Sequence, residues 1–134
     1  MTPPIGTLIA SVAIPLRLVS EANQRDHWTA RSRRTKQHRA AAFLAVTAAT
    51  TKAQRAALPM TVVITRIAPR SLDDDNLVGS AKATRDGIAD ALGVNDRDPR
   101  VTWIVRGEKG KPKTYGVRIE LHHDKAPIGR EETA

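Results

Sequence analysis

The chain has no cysteine, one tyrosine and one phenylalanine among its 134 residues. Without cysteine it can build neither a disulfide scaffold nor a zinc or iron–sulfur centre with thiolate ligands. No stretch approaches the roughly 18 consecutive apolar residues of a transmembrane helix, so we expect no membrane span. The shortage of aromatic side chains also argues against an RRM-type platform for single-stranded nucleic acid.

The remaining composition suits one soluble domain. Apolar residues make up 40% of the chain, enough for a modest core, and 134 residues correspond to a single domain. Residues 1–6 have no basic region ahead of their apolar residues, which argues against a secretory signal peptide. We therefore expect a cytoplasmic protein.

Charge is distributed unevenly along the chain. The formal net charge is +8, yet residues 1–70 alone carry eleven basic and two acidic side chains, a balance of +9. Residues 73–98 carry seven aspartates against three basic side chains, a balance of −4. A basic surface favours a polyanion such as nucleic acid, and a dense acidic segment would tolerate phosphate only with divalent cations between them. The alternative is a solvated basic surface with an acidic loop.

Hydrophobic patterning predicts an α+β single domain in the order β-α-β-α-β-β, with a small mixed sheet packed by two helices. Strands are expected over 8–18, 60–68, 101–106 and 115–122, and helices over 29–53 and 76–92. Pro15 marks an edge or a bulge, and residues 107–112 form a flexible connection. In the first helix, the predicted buried stripe contains Ala41, Leu44 and Ala48. Residues 1–122 form the domain, and 123–134 a polar, disordered tail.

An acidic run stands between the second strand and the second helix. Asp73, Asp74, Asp75 and Asn76 follow Ser71-Leu72. Aspartate and asparagine are favoured helix caps, so capping explains part of this run. Three consecutive aspartates exceed what capping needs, and in an extended chain the first and third would point the same way, towards a shared Mg²⁺. Both explanations remain open.

Further charged residues could complete such a site. Lys82 lies seven residues after Asp75, close to two helical turns, from where its ammonium could stabilise a phosphate. Its alternative role is a surface ion pair with Asp86, four residues further on. Asp96 and Asp98 lie in the turn after the helix, either to bond the local backbone or to supply a third carboxylate.

Together these residues resemble the RusA family of Holliday junction resolvases. The resemblance lies in the Asp73-x-Asp75-Asn76 run, a lysine in the following helix, the Asp90-Ala91-Leu92-Gly93 end and the Asn95-Asp96 turn. The stretch containing Asn23, His27, Trp28 and Arg31 is similar to the amino-terminal segment of phage-type members. The likeness spans residues 10–122 and is most specific over 73–98.

The resemblance implies a homodimeric, Mg²⁺-dependent endodeoxyribonuclease that nicks four-way junctions symmetrically, with Mn²⁺ as a substitute ion, in DNA recombination and repair. It implies an acidic site of Asp73, Asp75 and Asp96, with Asp98 as an alternative ligand and Lys82 as the lysine. The family's lysine falls three residues after the asparagine, where this chain has Gly79. Two alternatives are a non-catalytic basic DNA-binding module and a nuclease acting on other branched DNA.

Other basic side chains are candidates for contacts with DNA phosphates. Trp28 could stack on a base, although a core or interface role is favoured. The four histidines show no metal-ligand spacing. The candidate DNA-binding residues are Arg31, Arg33, Arg34, Lys36 and Arg39 on the first helix and Lys109, Lys111 and Lys113 around the 107–112 connection.

Overall fold

A computed structural model describes residues 6–20 and 28–124. Four strands form one sheet in the order β1-β4-β2-β3. The elements along the chain are β1 (Leu8–Ile14), α1 (Trp28–Ala49), α2 (Lys52–Arg55), β2 (Met60–Ala68), α3 (Asp74–Ser80), α4 (Lys82–Leu92), β3 (Val101–Lys109) and β4 (Gly116–His123).

The sheet is mixed, as the sequence predicts. β4 pairs antiparallel with both β1 and β2, whereas β2 and β3 are parallel and are joined by the crossover through α3 and α4. The α+β class is therefore confirmed. Each of the two predicted helices is divided into two, which makes the observed order β-α-α-β-α-α-β-β.

The central strand β2 provides the middle of the core. Met60, Val62 and Ile64 are completely buried on the face of the sheet that packs against the helices. Ala42 from α1 and Ile88 from α4 meet them there. A β-branched strand with apolar side chains on both faces is typical of such a central position, and the sequence prediction for β2 is confirmed at both ends.

The two long helices approach each other closely at Gly87 of α4. A Cβ atom at Gly87 would overlap the carbonyl oxygen of Arg39 and press on the side chain of Ala42. The predicted buried stripe of α1 is wrong for Leu44 and Ala48, which are exposed, whereas Ala41 is partly buried against the core. The buried residues of α1 are His38, Ala42 and Val46. Leu44, expected in the core, is 64% exposed.

The predicted second helix begins and breaks at definable residues. Asp73 is the N-cap of α3, and Ala81 has a non-helical ψ of 0° that separates α3 from α4. Gly93, with φ of 69°, ends α4 in the left-handed conformation that glycine adopts without strain. The predicted buried positions Leu77, Ala81 and Ile88 are indeed buried.

Several predicted boundaries shift. β1 ends at Ile14, immediately before Pro15, and it lies at an edge of the sheet, as the proline suggested. Residues 107–109 belong to β3 and are not a flexible connection, and the amide of Gly110 donates to Ala68 O at 2.8 Å. β4 reaches His123, and Asp124 accepts a 2.6 Å hydrogen bond from Thr61, past the predicted domain boundary. The rest of the predicted tail lies outside the described residues.

Candidate active site

The acidic run lies at the start of α3, where the chain leaves the carboxyl end of β2. Asp73 accepts a 2.9 Å hydrogen bond from the amide of Asn76, so one of its oxygens caps the helix. Asp74 and Asp75 lie exposed in the first helical turn. The run is therefore partly helical and not extended, which corrects the expected alternation of its side chains, and the capping explanation holds for Asp73.

Two buried contacts hold this helix start in place. Ser20 donates a 2.9 Å hydrogen bond to the side-chain oxygen of Asn76, which ties the segment after β1 to α3. Arg66, only 8% exposed, donates to Leu18 O at 3.0 Å and to Arg70 O at 2.8 Å. Burial lowers the pKa of Arg66 from its ordinary value. The guanidinium thus links the segment after β1 to the residues that lead from β2 into the acidic run.

Lys82, the first residue of α4, lies between two carboxylates. Its ammonium is 2.8 Å from Asp86 Oδ1 and 3.1 Å from Asp96 Oδ2, and its side chain is 61% exposed. The hydrogen bond to Asp86, followed by the one to Asp96, raises the pKa of Lys82. The hydrogen bond from Lys82 lowers the pKa of Asp96. The predicted pair of Lys82 with Asp86 is present, and Asp96 joins it.

The turn after α4 orients its two aspartates differently. Arg85 donates to the carbonyl oxygen of Asp96 at 2.8 Å, while its guanidinium lies 4.9 Å above the ring of Trp103. Asp98 is instead bound by Arg100, at 2.7 Å and 3.1 Å, and this partner lowers the pKa of Asp98 to about 2. Of the two candidates for a third carboxylate, only Asp96 shares a cluster with Lys82.

The acidic segments lie at opposite ends of the crossover. α3 starts beside the carboxyl end of β2, whereas the Asp96–Asp98 turn leads into the amino end of β3, and these strands are parallel. Within residues 6–20 and 28–124, no three His, Asp or Glu side chains form a group that could hold a metal ion. The predicted three-carboxylate site of Asp73, Asp75 and Asp96, with Asp98 as alternative, stays a prediction.

The donor chemistry at α3 nevertheless fits Mg²⁺. Asp73 uses one oxygen for the cap and keeps the other, and Asp75 makes no hydrogen bond or ion pair with any described residue. Proteins bind Mg²⁺ through one or two carboxylates, with water and substrate phosphate completing the shell. Asp73 and Asp75 would hold such an ion.

Two clefts meet at Lys82. The first, which we call the α4 cleft, has a volume of about 380 Å³ and is lined by Arg39, Asp90 and the Lys82–Asp86–Asp96 cluster. The second, the α1–α3 cleft, has a volume of about 300 Å³ and is lined by Arg31, His38, Gly79, Lys82 and Asp86, among others. Gly79, where the RusA pattern has its lysine, therefore opens into the same cleft as Lys82.

The predicted DNA-binding residues fall into separate environments. Arg39 is engaged within the protein, because it binds both oxygens of Asp90 at 2.7 Å and 2.9 Å across the α1–α4 contact. The hydrogen bond between them raises the pKa of Arg39 and lowers that of Asp90. Trp28 is 72% exposed, so the favoured core role is wrong within this chain. The others lie in α1 (Arg31, Arg33, Arg34 and Lys36) or at the end of β3 and in the turn that follows (Lys109, Lys111 and Lys113).

Sequence reasoning missed Arg17 and Arg66. Arg17 lies 4.2 Å above the ring of Tyr115, and Arg66 is buried and bonds to Leu18 O and Arg70 O. A signal for Arg66 was available, because a lone charged side chain in a buried central strand needs a specific polar partner.

Comparisons with protein-family models, with curated proteins and with solved structures give no match to this chain. Among the described helices, none combines the length and the apolar character needed to span a bilayer. The phage-type similarity of residues 23–27 lies outside the described residues.

Proposed function

We propose that this chain is an Mg²⁺-dependent endodeoxyribonuclease, similar to the RusA resolvases, that nicks branched DNA and four-way junctions in particular. The observation that carries the proposal is the Lys82 ammonium, which stands in two adjoining clefts and bonds to Asp86 and Asp96. An exposed lysine one short helix beyond two exposed carboxylates supports phosphodiester hydrolysis, with a bound metal ion offsetting the negative charge of the neighbouring carboxylates.

Each residue has a distinct role in this proposal. Asp73 and Asp75 would hold the ion at the start of α3. When bound, Mg²⁺ supplies charge neutralisation at the scissile phosphate and a water of lowered pKa. Lys82 contacts the phosphate and stabilises the negative charge that develops there. Asp86 and Asp96 position Lys82 through their ion pairs, and its hydrogen bond to Asp86, followed by the one to Asp96, raises the pKa of the lysine.

The proposed assembly is a homodimer. A four-way junction has two-fold symmetry, and a two-fold dimer places two equivalent sites on equivalent strands. The single chain has a mass of 14.6 kDa. Light scattering after size-exclusion chromatography should therefore give twice that mass, whereas the monomer mass at micromolar concentration would contradict paired cutting.

A second candidate function is a DNA-binding module without catalysis. The cap formed by Asp73 favours it, because capping alone accounts for one acidic side chain of the run. Such a module binds DNA without regard to Mg²⁺, and Asp75→Asn leaves its binding unchanged or strengthens it through lost repulsion.

One assay separates these functions. Labelled four-way, forked and linear DNA of equal length are incubated with the protein in Mg²⁺, in Mn²⁺ or in EDTA. We expect cleavage with either metal, fastest on the four-way junction, and none in EDTA. If the protein cleaves none of the branched substrates, both nuclease proposals are refuted. Preferential cutting of linear duplex would refute the junction specificity alone.

A further inference from the structure

A third cleft, of about 400 Å³, lies between the segment after β1 and the first half of α1. We call it the arginine cleft. Arg17 lines it from one side, and Arg33, Arg34 and Gln37 line it from α1. No aspartate or glutamate is among the described residues that line it, which sets it apart from the α4 cleft, where carboxylates face every cation.

Arg17 is held in a defined position. Its guanidinium stacks 4.2 Å above the ring of Tyr115. A stacked guanidinium keeps its N–H groups at the ring edge, where they are available to an anion, and it loses little side-chain entropy on binding. Neither Arg17 nor Arg33 forms an ion pair with any described residue.

A buried cation lies next to Arg17. Arg66 donates its hydrogen bonds to carbonyl oxygens and not to a carboxylate. Burial is the main cause that lowers the pKa of Arg66; Tyr115 opposes it, and the positive charge of Arg17 adds to it, so the two guanidinium groups repel each other. An anion placed at Arg17 would relieve this repulsion.

We propose that the arginine cleft binds the phosphodiester backbone of a DNA strand, with Arg17 and Arg33 contacting its phosphates. The identity of the ligand as DNA rests on the proposed function. Two guanidinium groups from two separate elements suit a nucleic-acid strand, because a strand carries regularly spaced phosphate charges.

The arginine cleft is linked to the proposed active site through α1. His38, 6% exposed, lines both the arginine cleft and the α1–α3 cleft that contains Lys82. The two clefts thus lie on either flank of one helix, whose diameter with side chains is about 10 Å. A strand held by Arg17 and Arg33 is positioned beside the reacting centre but does not occupy it.

Fluorescence anisotropy of a labelled four-way junction in EDTA tests this inference without cleavage. Arg17→Ala and Arg33→Ala should each weaken binding about tenfold, and each should reduce the slope of log affinity against log salt by about one. Arg106→Ala is the matched control, since Arg106 is an exposed arginine on the face of the sheet away from α1, and its binding should equal that of the wild type.

Companion variants and thermal melting distinguish a loss of DNA contacts from a loss of folding. Arg17→Lys keeps the charge but loses the planar stacking on Tyr115, so it should recover only part of the affinity. Thermal melting of Arg33→Ala should match the wild type, because Arg33 is exposed. Inorganic phosphate at millimolar concentration should compete weakly, and strong competition would reassign the cleft to a small anion.

Failure of this inference differs from failure of the proposed function. Suppose that the wild type binds and cuts junctions, and that both alanine variants bind as tightly with unchanged salt slopes. The arginine cleft is then not a DNA site, and the nuclease proposal stands. If the wild type binds DNA but never cuts it, the cleft assignment survives and the nuclease proposal fails. If the wild type binds no DNA, both are overturned.

Discussion

Lys82 and Asp96 form a 3.1 Å ion pair across the crossover that joins the two parallel strands. The pair unites the first residue of α4 with the turn that follows the same helix, and Asp86 binds the same ammonium from within the helix. These contacts place the ammonium of Lys82 between two carboxylates in a solvent-accessible cleft.

The role of Lys82 can be tested by moving the lysine along the chain. Lys82→Ala should slow junction cleavage about 100-fold, because one positioned cation is lost from the reacting phosphate. Gly79→Lys in the same chain should recover part of that rate. Gly79 lines the same cleft, and a Cβ atom there meets nothing within 4 Å. Single-turnover cleavage rates provide the measurement.

Lys52→Ala serves as the control for loss of one exposed lysine, since Lys52 lies in α2, away from the three clefts. Wild-type cleavage by Lys82→Ala would remove Lys82 from the proposed chemistry. A lysine added at an unrelated exposed site provides a second comparison. If it restores the cleavage rate as well as Gly79→Lys does, the recovery reflects only the added positive charge.

Two substitutions at Asp73 separate capping from metal binding. Asp73→Asn keeps a side-chain oxygen for the amide of Asn76, so the free energy of unfolding should change by only about 0.5 kcal/mol or less. Asp73→Ala removes the cap and should cost about 1 kcal/mol. Both should reduce Mg²⁺-dependent cleavage about 100-fold. Urea unfolding and cleavage rates measure the two effects, and a normal rate for Asp73→Asn would restrict Asp73 to capping.

The close contact of α1 and α4 should be intolerant of added volume at Gly87. Gly87→Ala places a methyl group against the carbonyl oxygen of Arg39, and the helices must separate. We expect a loss of about 3 kcal/mol in unfolding free energy. Gly79→Ala is the matched control, because its Cβ lies in open space and alanine favours a helix by about 0.5–1 kcal/mol. Equal stabilities for the two variants would contradict the packing described here.

The pair of Arg39 and Asp90 should give stability a defined pH dependence. The hydrogen bond from Arg39 lowers the pKa of Asp90, so the folded state binds this proton less readily than the unfolded state. The stabilisation is present above the unfolded pKa of about 3.9 and fades as the pH falls through the lower, folded value. Asp90→Asn should therefore melt slightly below the wild type at pH 7.

The melting temperatures of wild type and Asp90→Asn should converge as the pH falls below the unfolded value, and also in high salt, because the pair is half exposed. A difference that stays constant from pH 7 to pH 2 would show that Asp90 acts by something other than its charge.

The fold class was predictable because strand alternation and β-branched composition are local signals. The bounds of β2 agree with the sequence, and the buried positions Leu77, Ala81 and Ile88 follow from helical spacing. The buried face of α1 was not predictable by the same means. That helix is rich in alanine on all sides, and the choice of Ala42 over Leu44 depends on Gly87 of a distant helix.

In the candidate site, too, contacts between neighbouring residues were predictable, and contacts between residues far apart in the sequence were not. Asp73 as a cap and Lys82 with Asp86 follow from neighbouring residues. The pairing of Lys82 with Asp96, fourteen residues later, depends on how the turn after α4 packs beside that helix, which no local pattern encodes. The stacking of Arg17 on Tyr115 likewise brings together two residues that are far apart in the sequence.

The central claim is that Asp75 supports metal-dependent cutting of branched DNA, and its neighbour Asp74 provides a control of equal charge. Both side chains are exposed in the first turn of α3. The decisive measurement is the rate and position of nicks in a labelled four-way junction with Mg²⁺, for wild type, Asp75→Asn and Asp74→Asn. We predict symmetric paired nicks for the wild type and Asp74→Asn, and about a 100-fold loss for Asp75→Asn. Equal rates for all three proteins, or no nicks by the wild type, would contradict the claim.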